Sequence, residues 1–166
     1  MENKLLDTWT YSAKEWSDFI ITERSNKKSD NLYFGVGILL LGIPGLMLFR
    51  AVPFLMAALF VVPFALLIPF IRYKMSKRFL QPNIEKPNVQ LYHDFIISNG
   101  VKKEIFSKKY WLKNVKIITS KHNRSLLEFD VAWNTRRGST NDEFRILIPK
   151  DKLAKAEEII DFYKNY

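Results

Sequence analysis

The chain has 166 residues, a formal net charge of +9 and no cysteine, so there is room for one soluble domain plus an anchor, while disulfides and thiolate chemistry are excluded. The charge is unevenly placed: residues 1–31 carry five Lys/Arg against six Asp/Glu, Leu32–Ile71 has Arg50 as its one charge, and residues 72–166 carry twenty against eleven. Such an excess suits nucleic acid, an acidic partner or an anionic membrane surface, and the neighbouring apolar stretch puts the membrane first.

Residues 1–31 form an arm. Leu5, Thr8, Trp9, Thr10 and Tyr11 have strand character. Ser12 to Glu15 then fits a capping box, and Trp16, Phe19, Ile20 and Glu23 recur at helical spacing. The spacing predicts a short strand and an amphipathic helix from about Ala13 to Ser25. Its stripe could lie on a membrane interface or pack on the C-terminal domain, and both readings stay open.

Residues 32–71 predict a transmembrane hairpin. Leu32–Phe49 has 18 residues, which at about 1.5 Å per residue spans roughly a bilayer core. Ala51–Ile71 has 21 and can cross with some tilt. The first segment lies behind a charged arm and leads straight into the second, unlike a cleaved signal peptide. Arg50 sits at the tip and Pro53 suits a first helical turn. Gly35, Gly42 and Gly45 fall near one helix face, where backbones can approach, and homo-oligomerisation through that face is open. Pro44, Pro63 and Pro69 are read as kinks in anchoring helices. Arg24, Lys27 and Lys28 before the hairpin, and Arg72, Lys74, Lys77 and Arg78 after it, predict two cytoplasmic termini and a multi-pass protein of the bacterial cytoplasmic membrane.

Residues 72–88 form a juxtamembrane linker and 89–166 a soluble domain. Val89, Leu91, His93, Phe95 and Ile97 alternate as one strand, and Asn99-Gly100 predicts a tight turn into a second strand, Val101 to Phe106. Trp111, Val115 and Ile117 mark a third strand, closed by a turn from Lys121 to Arg124. Leu127, Phe129, Val131 and Trp133 mark a fourth, with Glu128 and Asp130 on its solvent face. Asn134–Asp142 reads as a loop, and Phe144, Ile146 and Ile148 as a fifth strand. After Pro149, Asp151 is placed to cap a helix whose stripe is Leu153, Ala156, Ile159, Ile160 and Tyr163. The expected fold class is an α+β membrane protein: a two-helix hairpin plus an antiparallel sheet or small barrel, to which the arm could add a sixth strand.

The order of these features resembles the bacterial pleckstrin-homology-like domains, and the layout resembles the YcxB-like membrane proteins. The resemblance rests on Thr10-Tyr11-Ser12 in a strand-helix arm, two apolar helices, then the sheet and Ile148-Pro149-Lys150. It implies a pleckstrin-homology-like sheet or barrel closed by the C-terminal helix, and says little about activity.

Chemistry is sparse. His93 is expected at a hydrogen-bonded core or rim position and His122 in a solvated turn, and no metal-ligand spacing, phosphate loop or serine elbow occurs. No enzyme activity and no cofactor are expected. The candidate surface is basic and aromatic: Lys102, Lys103, Lys108, Lys109, Trp111, Lys113 and Lys116, with Arg136 and Arg137 as a second focus. Expected partners are the lipid bilayer and a protein, with no nucleic acid, since no binding motif accompanies the charge. The leading functional expectation is a non-enzymatic, membrane-anchored interaction module facing the cytoplasm. The alternative is an immunity protein protecting its producer against a membrane-active bacteriocin or toxin. A transporter or channel component ranks third, because the apolar segments lack polar groups to carry ions.

Overall fold

The structure is a computed structural model that describes residues 4–120, 123–136 and 138–165. In chain order it contains β1 (Leu5–Thr10), α1 (Ala13–Arg50), α2 (Phe54–Ser76), β2 (Asn88–Tyr92), β3 (Phe95–Ser98), β4 (Val101–Glu104), β5 (Tyr110–Thr119), β6 (Ser125–Thr135), β7 (Gly138–Leu147), a 3-10 turn (Lys150–Lys152) and α3 (Leu153–Lys164). These divide into two compact units. One takes in the described residues up to Trp16 together with those from Asn83 onward, and the other is Ser17–Pro82.

The helical unit corrects the arm reading, because α1 is continuous through Ser25 and on to Arg50. The stretch from Asn26 to Asn31 is polar, but polarity alone does not end a helix. No glycine or proline occurs between Ala13 and Asn31. Asn31 turns its amide back to the Lys27 carbonyl at 2.7 Å, which keeps its hydrogen bonding inside the helix. At its start, Glu15 N–H donates to Ser12 Oγ at 3.2 Å, the half of the capping box that ends an otherwise unpaired donor. Ala51 takes φ +51° between the helices, and Pro53 then leads into α2 with its carbonyl accepting from Ala57 N–H at 3.0 Å.

Helix α2 faces α1 through Ala57, Val61 and Ala65, one residue per turn and all buried. Gly35 lies so close that a Cβ there would stand 2.8 Å from the Ala65 carbonyl oxygen, and at Gly42 it would stand 2.8 Å from Val61 Cγ1. Gly45 does not belong to this contact, since a Cβ there would meet nothing within 4 Å. Arg72 stacks over the Phe34 ring at 4.4 Å, and Arg24 Nε donates to the Leu80 carbonyl at 2.8 Å. Both helices are long and apolar enough to cross a membrane.

The sheet unit corrects the expected fold class. Instead of one sheet or barrel of five or six strands, the described residues form seven strands in two open sheets, ordered β1-β2-β3-β4 and β5-β6-β7. A pleckstrin-homology-like sheet or barrel closed by the C-terminal helix is therefore not what forms. Three local causes account for the difference. First, the run from Val89 to Ile97 is a hairpin, because the chain turns at His93-Asp94 and pairs Leu91 with Ile96. Second, the Asp94 carbonyl accepts the Ile105 and Phe106 amides at 2.8 and 3.0 Å, so the chain leaves the first sheet after Glu104. Third, the segment from Asn134 to Asp142 is a strand hairpin rather than a loop: Thr135 pairs with Gly138 and the ladder runs back to Leu126–Leu147. Its polar residues hide the alternation that marks the other strands.

The arm supplies a true strand. β1 pairs with β2 from Thr10–Asn88 to Leu5–Tyr92 with one bulge. Asn99 and Gly100 take φ +49° and +80°, as the Asn-Gly pair predicts for a two-residue hairpin. The core gathers Trp9, Val89, Leu91, Ile96, Leu127, Phe129 and Val131 under α3, which contributes Ala156, Ile159, Ile160 and Tyr163. Leu153 is exposed and Asp151 does not cap α3, because the 3-10 turn comes between Pro149 and the helix and no side chain caps its start. Phe129 stacks on Phe144 at 5.0 Å and meets Tyr163 edge-on at 5.8 Å, which ties the second sheet to the helix. Tyr11 joins the arm to the second sheet through its hydroxyl, which donates to the Leu147 carbonyl at 2.7 Å, while its N–H donates to the Pro87 carbonyl.

Candidate functional site

Strand β6 alternates, with Leu127, Phe129 and Val131 facing the core and Glu128 and Asp130 on the opposite face. Register sets Lys116 on one side of Glu128 and Arg145 on the other. Glu128 Oε2 accepts from Arg145 Nε at 2.7 Å, and Oε1 stands 3.1 Å from Lys116 Nζ. Glu128 is buried, 5 % exposed. Burial by itself raises its carboxyl pKa, but the hydrogen bonds and charges of Arg145 and Lys116 outweigh it and hold the group below its ordinary value. This carboxylate was legible only as part of a solvent face, and the pairing depends on a cross-strand register that spacing does not disclose.

The next rung is Asp130. Its Oδ1 accepts from Asn141 Nδ2 at 2.6 Å and its Oδ2 lies 3.8 Å from Lys113 Nζ. A bulge between Leu112 and Asn114 lets Lys113 reach this face. Elsewhere, Lys103 Nζ donates to Asp142 Oδ2 at 3.2 Å and lies over the Phe144 ring at 3.9 Å. Lys102 lies over Phe95 at 4.2 Å and 3.8 Å from Glu104.

The basic run thus separates into two populations. Lys113 and Lys116 each face a carboxylate of β6, Lys102 faces one along β4, and Lys103 meets Asp142 on β7 of the other sheet. Lys108, Lys109 and Arg136 are exposed and form no ion pair with a described residue. Arg137, like His122 and the start of the turn at Lys121, lies outside the described residues. Lys108 and Lys109 occupy a turn that Ser107 builds: its N–H donates to the Tyr110 carbonyl at 2.9 Å, and its Oγ accepts the Lys109 and Tyr110 amides at 3.2 Å. Tyr110 pairs with Trp133, so this turn and the Thr135–Gly138 hairpin bearing Arg136 leave the second sheet at the same end. Trp111, next in β5, is 37 % exposed, whereas Trp133 is half-buried with its ring 5.9 Å from that of Tyr110.

His93 lies in the β2–β3 turn, not on a strand face. Its Nδ1 is 2.5 Å from Asp94 Oδ1, with its ring between Phe106 and Phe162 at 6.2 and 5.6 Å. Tyr163 donates its hydroxyl to the Tyr92 carbonyl at 2.7 Å. Among the described residues, no group of three or more His, Asp or Glu side chains is placed to hold a metal ion. A surface hollow is lined by Asn114, Lys116, Glu128, Asp130 and Glu143, and its charged groups are engaged with one another or with neighbouring strands. Compared with family models, with curated proteins and with solved structures, the chain matches none of them.

Proposed function

We propose that this chain is a non-enzymatic interaction module held in a bacterial cytoplasmic membrane by the α1–α2 hairpin, with its sheet unit displayed on the cytoplasmic side. The observation that carries the proposal is the apolar surface of the hairpin. Leu41, Leu48 and Phe49 on α1 are 79, 80 and 87 % exposed, and Leu55, Phe60, Leu66 and Phe70 on α2 are all above 60 %. Monomeric soluble proteins rarely expose an apolar patch beyond a few hundred Å². Lipid is the solvent that such a surface fits.

Orientation draws support from strand pairing. β1 precedes the hairpin and β2 follows it, yet the two form one ladder. That pairing supports a hairpin whose two ends share one side of the membrane. Arg24, Lys27 and Lys28 before it and Arg72, Lys74, Lys77 and Arg78 after it favour the cytoplasm as that side.

The test uses the cysteine-free background. Single cysteines at Arg50 and at Glu157 are treated with a membrane-impermeant maleimide in intact cells, after confirming resistance to alkaline carbonate extraction. Labelling at Arg50 and protection at Glu157 is the expected pattern. Extraction by carbonate would reject the anchor, and labelling at Glu157 would reject the orientation.

A further inference from the structure

The geometry points to the end of the second sheet, formed by Lys108, Lys109, Trp111 and Arg136, as a contact site for anionic phospholipid headgroups. This deepens the anchoring proposal and rests on it.

Three observations converge. The first is charge compensation. Cations along the strands are neutralised by Glu128, Asp130, Asp142 and Glu104, whereas Lys108, Lys109 and Arg136 have no carboxylate of the described residues within ion-pair distance. Between Lys102 and Lys116, together with Arg136, the basic character left to an outside partner therefore lies at one end of the second sheet. The second is placement. Arg136 lies three residues beyond Trp133, which pairs with Tyr110, so it sits about 10 Å past that pair at the usual strand rise. The Ser107 turn holds Lys108 and Lys109 beyond the same pair. The third is composition. Trp111 is partly exposed beside this end, and an indole combines an apolar body with a donor, the character suited to a headgroup layer.

An acidic protein segment would also meet the charge. Lipid is favoured because the exposed indole adds an apolar contact that a carboxylate-rich strand does not reward. The hairpin also keeps the sheet unit tethered at a membrane surface. No headgroup-specific pocket is required, because the cations act through the surface potential.

The experiment uses the full chain with a single cysteine at Asn134, which is exposed near the sheet end, labelled with an environment-sensitive dye. Glu157, exposed on α3, carries the dye in a control protein. Both are reconstituted into vesicles of phosphatidylcholine alone and of phosphatidylcholine with phosphatidylglycerol. The expected result is a blue shift at position 134 in the anionic vesicles only, absent at position 157 and reversed by salt. Each of Lys108→Glu, Lys109→Glu and Arg136→Glu should weaken surface association at least about fivefold, and the combined variant should lose the shift with an unchanged circular dichroism spectrum. Equal emission in both vesicle types, or a shift that survives the combined variant, overturns the site. A shift produced by soluble polyglutamate but not by anionic vesicles overturns lipid in favour of an acidic protein. Failure of the anchor itself is read separately, as loss of the protein from carbonate-washed vesicles.

Discussion

Replacing Glu128 by Gln keeps the side-chain shape and removes the charge that Arg145 and Lys116 share. In the native sheet Glu128 is 5 % exposed and accepts a 2.7 Å bond from Arg145, so most of that bond is shielded from water. Lys116 is itself 55 % exposed and contributes less. A hydrogen bond to a charged group is worth about 1.5–3 kcal/mol, and the variant takes from Arg145, 26 % exposed, its 2.7 Å ion pair while the longer 3.8 Å contact with Glu143 stays. The expected loss is about 2 kcal/mol, a fall of about 4–8 °C in the melting temperature for a chain of this size. The pH dependence has a definite sign. The folded-state pKa of Glu128 is lowered, so its contribution is fully present above its ordinary value of 4.5 and is lost as pH falls through the lowered folded value. Thermal melts of detergent-solubilised protein at pH 7 and at successively lower pH check this. Glu128→Gln should be less stable at neutral pH and converge on the parent in acid. Adding Arg145→Met to Glu128→Gln should recover part of the loss, because it removes a half-buried guanidinium that has lost its shortest ion pair. An unchanged melt at pH 7, or a penalty that grows toward acid, would refute the reasoning.

Two further outcomes follow from the packing. Gly42→Ile should destabilise the helix pair by about 1–3 kcal/mol through overpacking against Val61, while Gly45→Ala, with open space around it, should be neutral; thermal aggregation assays in detergent compare them. Tyr11 and Tyr163 are both held protonated by burial, Tyr11 well above the ordinary phenol value of 10.0 and Tyr163 also above it. Their stabilisation is complete below pH 10 and is lost as pH rises beyond it, so Tyr11→Phe should cost about 1–2 kcal/mol at pH 7 and soften the alkaline transition, read by far-ultraviolet circular dichroism.

The hairpin was legible because apolar length is a one-dimensional signal, and Asn99-Gly100 because positive φ favours few residue types. The strands failed where meaning depends on pairing. Ser139, Thr140, Asn141 and Asp142 carry no alternation of their own and become a strand because β6 lies beside them. His93 and Phe95 looked like successive core residues of one strand, since a two-residue turn inserted between alternating residues preserves the period while reversing the chain. The split of the sequence into two sheets depends on where the Asp94 carbonyl and Ser107 direct the backbone, which spacing cannot express. The same limit applied to the basic surface. Eight Lys/Arg between Lys102 and Arg124 read as one patch, but carboxylates of β4, β6 and β7 neutralise Lys102, Lys103, Lys113 and Lys116 and leave Lys108 and Lys109 uncompensated among the described residues.

The pairing of β1 with β2 also sets a schedule for biosynthesis. Thr10 meets Asn88 only after roughly 80 further residues have been made, and at about 5–20 residues per second that is a wait of about 4–16 s. Throughout it, Leu5–Thr10 is a nascent strand without its neighbour, and the first sheet cannot close. A ribosome that stalls within the hairpin therefore releases a chain whose leading strand stays unpaired and open to proteases. Completion of the first sheet therefore requires that both helices have already been synthesised.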